Sequence, residues 1–360
     1  MSSLFLHAHM CYGRDHSVCF NKAVIKNDLK AVKSLIEAGL QLNKNDAEHN
    51  FLESIKRNHF DLAKYIRSSY NIDVTESLYE RKYNALHSAI QWANDRHKLL
   101  DMVEYLIGAG VPVIEMHPKP YTTSAMEAVR RGVEELLKLF LDRGSNIHFK
   151  DMNGMTSLHY ALMHRGDDLC SRLVELLIEA GVMKNCVAYP CYLRFAIMHG
   201  NSSWGVMKKL IDAGAELNTV DENNVSVLVL AVWKGDYFLT KNLISSGANL
   251  NITQRWSNSA LEIALRTCRK DIVELLLKCG ASVTVQDKNS FSIINIVLKC
   301  IEKKQEYLDI LNLIIKYGAA DGSECKKYYM KSFLMPDQQH PIMMKWNHLK
   351  QALMEFFPST

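Results

Sequence analysis

The sequence predicts an all-α solenoid, in which short pairs of antiparallel helices stack side by side along the chain. Two observations carry this prediction: an apolar helical segment that ends in glycine returns at a nearly constant spacing, and a short polar turn follows these glycines. The composition agrees, because only 17 glycines and 7 prolines occur among 360 residues, which leaves little room for long loops.

The recurring glycines set the period of the predicted repeat. They are Gly39, Gly110, Gly144, Gly181, Gly214, Gly247, Gly280 and Gly318. Their separations are 71, 34, 37, 33, 33, 33 and 38 residues; the first is about two periods, with Ser69 at the place of the missing glycine. A period near 33 residues is long enough for two short helices and a turn, and neighbouring units can then share one continuous core.

Each predicted helix pair ends in the same way. Apolar residues at helical spacing precede the glycine, as Val174, Leu177 and Ile178 precede Gly181. Glycine adopts the left-handed conformation that ends a helix without steric strain. An extended piece and a turn rich in Asn, Asp and Gly follow, as at residues 151–154, and lead into the next helix.

One unit carries a motif that identifies the repeat. Residues 156–161 read Thr-Ser-Leu-His-Tyr-Ala, and residues 85–89 read Ala-Leu-His-Ser-Ala. The chain here resembles the ankyrin repeat family, whose motif contains Thr-Pro-Leu-His-x-Ala. The resemblance covers residues 17–320, about nine units. It implies a solenoid of helix-turn-helix units with β-hairpin fingers, and a structural role for His87 and His159 in linking adjacent repeats by hydrogen bonds.

The period also divides the chain into three parts. We expect a mobile N-terminal leader at residues 1–16, the ankyrin repeat array at 17–320, and a helical C-terminal segment at 321–360. Within the last segment, Trp346, Leu349, Leu353 and Phe356 share one face of a predicted helix. This pattern favours a capping helix that covers the last unit, and the alternative is a helix that docks a partner.

Composition and targeting signals indicate where the chain works. The net charge is +4, too weakly basic for a dedicated nucleic-acid-binding protein. The nine cysteines are odd in number and contain no C-x-x-C pair, which favours a reducing compartment. The sequence shows no secretory signal and no apolar stretch long enough for a membrane span. We therefore expect a cytoplasmic protein without membrane insertion, with the nucleus as the alternative.

The sequence contains none of the common catalytic motifs. Phosphate-binding loops, dinucleotide fingerprints, the G-x-S-x-G elbow, kinase signatures and H-E-x-x-H are all absent. His7, His9 and Cys11 are too few for a metal site, and Cys186 and Cys191 have neither zinc nor redox spacing. We predict a protein that is not an enzyme and has no cofactor, no metal and no small-molecule substrate.

The family resemblance implies a partner-binding surface on the concave groove, formed by the first helix of each unit and the finger tips. Candidate groove residues are Trp92, Arg130, Arg131, His164, His199, Trp233, Lys234 and Arg266, and Trp256 lies at a predicted finger tip. Trp and Arg are enriched in binding hot spots, and a basic groove favours an acidic partner. The plainer interpretation is that these helix ends are simply solvated, with Lys and Arg as ordinary surface residues.

These patterns predict a non-catalytic scaffold or adaptor that binds a protein partner through the concave groove and finger tips. One alternative is a substrate-recruiting subunit or pathogen effector that acts through the C-terminal helix. Another is a nucleic-acid-binding array that uses the same basic row, although the modest net charge and the lack of a Lys/Arg-rich segment make nucleic acid the weaker candidate.

Overall fold

The computed structural model describes residues 16–75, 85–92, 96–113, 122–183, 192–199, 203–223, 225–252 and 259–283, together with 310, 313, 314 and 317. These residues form 16 helices and no strand, which confirms the all-α prediction. The chain divides into two compact units. The N-terminal unit contains residues 1–201 and 205–214, and the C-terminal unit contains residues 202–204 and 215–360.

The helices follow one another in pairs, a first helix and then a second. The pairs are α1 (His16–Ile25) and α2 (Leu29–Glu37), α3 (Lys44–Lys56) and α4 (Phe60–Tyr70), α5 (Ala85–Trp92) and α6 (Arg96–Gly108), α7 (Ser124–Arg131) and α8 (Glu134–Asp142), α9 (Ser157–Leu162) and α10 (Asp167–Glu179), α11 (Tyr192–Met198) and α12 (Trp204–Asp212), α13 (Val227–Lys234) and α14 (Tyr237–Ser245), and α15 (Ala260–Arg266) and α16 (Lys270–Lys278).

The pairs stack in the register that the period predicts. In the N-terminal unit the first helices pack in the series α1, α3, α5, α7, α9 and α11, and second helices pack as α2, α4 and α6 and as α8 with α10. In the C-terminal unit α13 packs against α15 and α14 against α16. Most helices therefore pack both against the other helix of their own pair and against neighbouring pairs, as a solenoid requires.

Helix α16 shows how the sequence produces one repeat. Its buried residues Ile272, Val273, Leu276 and Leu277 recur with helical period, while Lys270 lies on the exposed face. The helix ends in a left-handed residue, Gly280, with φ of +89°. The N–H of the next residue donates to the carbonyl of Leu276 at 3.0 Å, so one of the last carbonyls of the helix is satisfied.

The structure corrects the position of one repeat end and adds a second series of left-handed residues. Ser69 lies inside α4, and the left-handed residue that ends this helix is Asn71, with φ of +45°. Asparagine tolerates this conformation better than other residues with a Cβ atom. A second series occupies the turns between the two helices of a pair: Asn27, Asn58, Gly132, Gly235 and Cys268 all have positive φ.

The described parts of the fingers carry less regular β-structure than the predicted β-hairpins. The described residues contain no strand, and the antiparallel contact between fingers and helix starts is a single bridge between Val220 and Ser226. The carboxylate of Asp151 accepts hydrogen bonds from the N–H groups of Asn153 and Met155, both at 2.8 Å. In this finger the turn that leads into the next first helix is thus closed by a side chain.

Asparagine side chains connect successive fingers in the C-terminal unit. Asn218 Oδ1 accepts a hydrogen bond from the N–H of Asn249 at 2.8 Å, and Asn251 Oδ1 accepts one from the N–H of Ser282 at 2.8 Å. Since the two bonds are about one repeat apart, they form a ladder along the stacking direction. The ladder adds polar contacts between successive fingers to the packing of the apolar core.

Both ends of the predicted array fall largely outside the described residues. Of the leader predicted at 1–16, the structure describes only His16, where α1 begins. The C-terminal segment predicted at 321–360 lies outside the described residues, so the choice between capping and docking stays a prediction. Of the helices that the structure describes, none is both long enough and apolar enough to cross a membrane.

Candidate functional site

The last turns of the first helices carry the candidate site. In four of these helices the N-cap residue is Thr or Ser, namely Thr123, Thr156, Ser226 and Ser259. The cap fixes the register, because the seventh residue after each cap is then the same position in every unit. We call the residues at this position and the next one, together with their equivalents in α3, α5 and α11, the last-turn surface. They are Lys56, Arg57, Gln91, Trp92, Arg130, Arg131, Met163, His164, Met198 and His199 in the N-terminal unit, and Trp233, Lys234, Arg266 and Thr267 in the C-terminal unit.

Large apolar side chains are exposed on this surface. The exposed fraction is 55% for Trp92, 64% for Trp233, 46% for Met163 and 57% for Met198. Trp and Met are among the residues that protein interfaces favour. The sequence analysis selected His164 and His199 but not Met163 and Met198, which directly precede them. The signal for Met163 was present in the sequence, since it is the seventh residue after the N-cap residue Thr156.

Two arginines of the last-turn surface are held by buried carboxylates. Arg130 Nη2 lies 2.7 Å from Glu127, and Arg266 donates to Glu262 through Nε at 2.9 Å and Nη2 at 2.7 Å. Each glutamate is only 2% exposed. The residues of this surface include no acidic side chain, but carboxylates one turn earlier offset part of its positive charge. The spacing of three or four residues between Glu and Arg was the signal for this pairing.

Other polar residues near this surface bind the repeats to one another. His164 Nε2 lies 2.6 Å from the carbonyl oxygen of Val129, and His59 Nδ1 lies 3.0 Å from that of Val24. The guanidinium of Arg131 donates to the carbonyl oxygen of Ile90 in the same way. Each bond reaches a carbonyl near the end of the preceding first helix, and the carbonyls of Val24 and Val129 also accept the backbone N–H groups of Asn27 and Gly132. His164 and Arg131 therefore have a structural role beside any contact with a partner.

The remaining candidates differ in how they are placed. His199 is exposed and its ring lies 4.1 Å from that of Phe195, between ring centres. Lys234 is exposed at the end of α13, directly after Trp233. Trp256, the predicted finger-tip residue, lies outside the described residues.

The motif histidine His159 is structural. It is 3% exposed, and its Nδ1 accepts a hydrogen bond from the N–H of Thr156 at 3.1 Å, within its own unit. Its link to the next unit is ring packing against Tyr192 and Phe195, with centroid distances of 4.8 and 4.7 Å. Burial lowers the pKa of His159 to about 4, so the ring is neutral at physiological pH.

Comparison with known proteins gives the family. The ankyrin repeat family model, which describes three copies of the repeat, matches residues 93–188 and 193–287. The chain therefore belongs to the ankyrin repeat family, as the motif at residues 156–161 indicated.

Individual relatives are distant. An ankyrin repeat-containing protein of Treponema pallidum (strain Nichols) is 30% identical over 111 residues, which is 31% of this chain and 36% of that protein. The chain thus matches about a third of the length of this relative. The crystal structure of the human ASB11 ankyrin repeat domain superposes with a TM-score of 0.47 at 20% identity, covering 59% of this chain and 90% of that domain.

The described residues offer little for metal chemistry. Among them, no group of three or more His, Cys, Asp or Glu side chains is placed to hold a metal ion. The His7, His9 and Cys11 set considered above lies outside the described residues.

Proposed function

We propose that this protein is a non-catalytic scaffold or adaptor of the cytoplasm, which binds a protein partner through the last-turn surface. Ankyrin repeats are in general protein–protein interaction modules, and the proposal assigns that role to particular residues. The observation that carries it is the exposure of Trp92 and Trp233, each at the end of a first helix whose other apolar residues are buried. Burying an exposed tryptophan against a partner removes a large apolar area from water.

The surface combines apolar and cationic groups in the manner of a hot spot. Trp233 is followed by Lys234, Met163 by His164 and Met198 by His199, so three of the four exposed apolar side chains have a polar neighbour at the next position, and Trp92 is preceded by Gln91. Apolar anchors supply most of the binding free energy, and the polar groups around them set orientation. We expect the alanine variants of Trp92 and Trp233 to lose affinity by more than any single change of a charged neighbour.

An affinity capture with matched baits tests this proposal. The baits are the full chain, the Trp92→Ala/Trp233→Ala variant, and a Phe238→Ala control. Phe238 is 76% exposed but lies on the second helix α14, away from the last-turn surface. We expect a protein that the wild type and the control retain, and that the double variant loses. Circular dichroism verifies that all three baits stay folded. Equal retention by all three baits, or retention of nothing, refutes the proposal.

A further inference from the structure

The finger that leads into α9 contains the single Asn-Gly pair of the sequence, Asn153 and Gly154. Both residues are exposed. Because glycine has no Cβ atom, its backbone nitrogen can approach the side-chain carbonyl carbon of a preceding asparagine without steric hindrance. This approach is the first step of spontaneous deamidation, and the exposure of the pair gives water access to the product of that step.

The side chain of Asn153 is not held in place. Among the described residues its amide makes no hydrogen bond, whereas its backbone N–H donates to Asp151 at 2.8 Å. Asparagines of other fingers use the side-chain oxygen as an acceptor: Asn218 and Asn251 each accept a backbone N–H group of the next finger. Such a bond holds the amide in one rotamer. The amide of Asn153 lacks this restraint and can rotate towards the nitrogen of the next residue.

The surroundings of Gly154 leave room for the rearrangement. Its φ is +74°, and apart from its neighbours in the chain no atom of the described residues lies within 4 Å of the position that a Cβ atom would take. One hydrogen bond opposes the reaction, because the N–H of Gly154 donates to the carbonyl of Asp151 at 2.9 Å. Opening an exposed turn costs far less free energy than global unfolding, so the reaction can proceed in the folded protein.

We propose that Asn153 is a site of spontaneous deamidation. The nitrogen of Gly154 forms a bond to Cγ of Asn153 and the Cγ–Nδ2 bond breaks. The amide proton of Gly154 passes through water to the departing amino group, which leaves as ammonia. Water then adds to either carbonyl carbon of the resulting cyclic imide and opens it, to aspartate or to isoaspartate.

The isoaspartate product changes the finger itself, because it places an extra methylene group in the main chain before residue 154. The N–H groups of Gly154 and Met155, which donate to Asp151 at 2.9 and 2.8 Å, lie after this insertion and are displaced from their acceptors. The Asp151 carboxylate is buried and also accepts the hydroxyl of Tyr160 on α9 at 2.6 Å. Loss of a donor to a buried carboxylate is costly, so isoaspartate loosens the finger and its contact with α9.

A second finger of the chain provides a matched comparison. Asp221 accepts the N–H groups of Asn223 and Val225 at 2.9 and 2.8 Å, in the same arrangement as in the first finger. Asn223 is exposed as well, but the residue that follows it is Asn224. The Cβ atom of that residue hinders the attack. Asn223 should therefore stay intact under conditions that convert Asn153.

Mass spectrometry of aged protein tests the site. The full-length wild type and a Gly154→Asn variant are incubated at mildly alkaline pH and digested with trypsin, and the peptides that contain Asn153 and Asn223 are compared. Gly154→Asn reproduces the sequence of the second finger, and asparagine tolerates the left-handed φ of this position. Circular dichroism verifies that the variant is folded. A methyltransferase specific for isoaspartate distinguishes the two acids.

We expect the wild-type peptide with Asn153 to acquire the mass of the acid and to become a methyltransferase substrate, while the peptide with Asn223 keeps its mass. Gly154→Asn should slow the conversion of Asn153 by about tenfold or more, because the new Cβ atom obstructs the attack. The proposal is overturned if Asn153 keeps its amide, if Asn223 or the variant reacts as fast, or if aspartate is the only acid formed.

Hydrogen–deuterium exchange of the aged wild type tests the effect on the finger. The comparison is an Asn153→Asp variant, which introduces the same negative charge without lengthening the main chain. We expect the N–H groups of Gly154 and Met155 to exchange faster in the isoaspartate form than in this variant, since only the insertion displaces them from Asp151. Equal exchange in the two proteins refutes the loosening of the finger by isoaspartate.

Discussion

At the scale of single residues, the chain uses few side chains to hold each repeat, and several of them are polar and buried. His159, Glu127 and Glu262 each lie under the last-turn surface with at most 3% of their area exposed. Each has a defined partner: Thr156, Arg130 and Arg266. Buried polar groups with good partners fix one geometry, because any other arrangement leaves them unsatisfied.

The low pKa of His159 predicts a specific dependence of stability on pH. The folded-state pKa is about 4 and the ordinary value is 6.5, so the unfolded chain binds more protons between these values. The contribution of His159 is complete above pH about 6.5 and is lost progressively as the pH falls towards 4, to a total of up to about 3 kcal/mol. Urea unfolding followed by circular dichroism at several pH values measures this loss.

A His159→Gln variant isolates this contribution. The amide oxygen of glutamine can accept the N–H of Thr156 but does not titrate, so the variant should lose less stability than the wild type between pH 6.5 and 4. Other histidines with lowered pKa, His59 and His87, are present in both proteins and drop out of the difference. Parallel pH profiles for the two proteins would contradict the assignment.

The sequence identified the exposed helix ends but not what lies beneath them. Trp92 and Trp233 were selected from the geometry of the resembled family applied to the repeat register, and both side chains are exposed. The carbonyl contacts of His164 and Arg131 could not be found in this way. They join residues 35 and 41 positions apart, and such contacts depend on how closely two units approach in space.

At the scale of the elements, each helix pair is defined by where its helices end. Glycine marks the end of most second helices, and this signal was visible in the sequence as a period. The turns within the pairs were less visible, because Asn27, Asn58 and Cys268 occupy a left-handed position that Gly132 and Gly235 fill elsewhere. Because Asn, Gly and Cys all occur at this position, the sequence does not show that a left-handed residue recurs there once per repeat.

The asparagine ladder between the fingers gives a prediction at this scale. Asn251→Ala removes the acceptor for the N–H of Ser282, a bond between two successive repeats at an exposed site. We expect a loss of about 0.5–1 kcal/mol in the unfolding free energy, measured by chemical denaturation. Asn153→Ala is the matched control, because Asn153 is an exposed finger residue that contributes its backbone N–H to the turn. If Asn153→Ala lowers the unfolding free energy by the same amount, the hydrogen bond between the fingers does not stabilise the fold as predicted.

At the scale of the whole molecule, the sequence was sufficient for the fold class and for the family. The period, the Thr-x-Leu-His motif and the low glycine and proline content all follow from the need of each repeat to bury one face against the next. The identity of the partner could not be predicted from the sequence, since surface residues of a solenoid vary without changing its framework. What the structure adds is which candidate side chains are exposed, and which are already engaged by Glu127, Glu262 or a neighbouring carbonyl.

Site-specific photocrosslinking tests the central claim, that a protein partner contacts the last-turn surface. In one protein a photoreactive amino acid replaces Met163, which is exposed directly after α9. In the other it replaces Lys138, which is exposed on α8, a second helix of the same N-terminal unit. Both proteins are irradiated in lysate, and the covalent adducts are identified by mass spectrometry. The account predicts a discrete protein adduct from position 163 and none from position 138. The same adducts from both positions, or an adduct from position 138 alone, would contradict it.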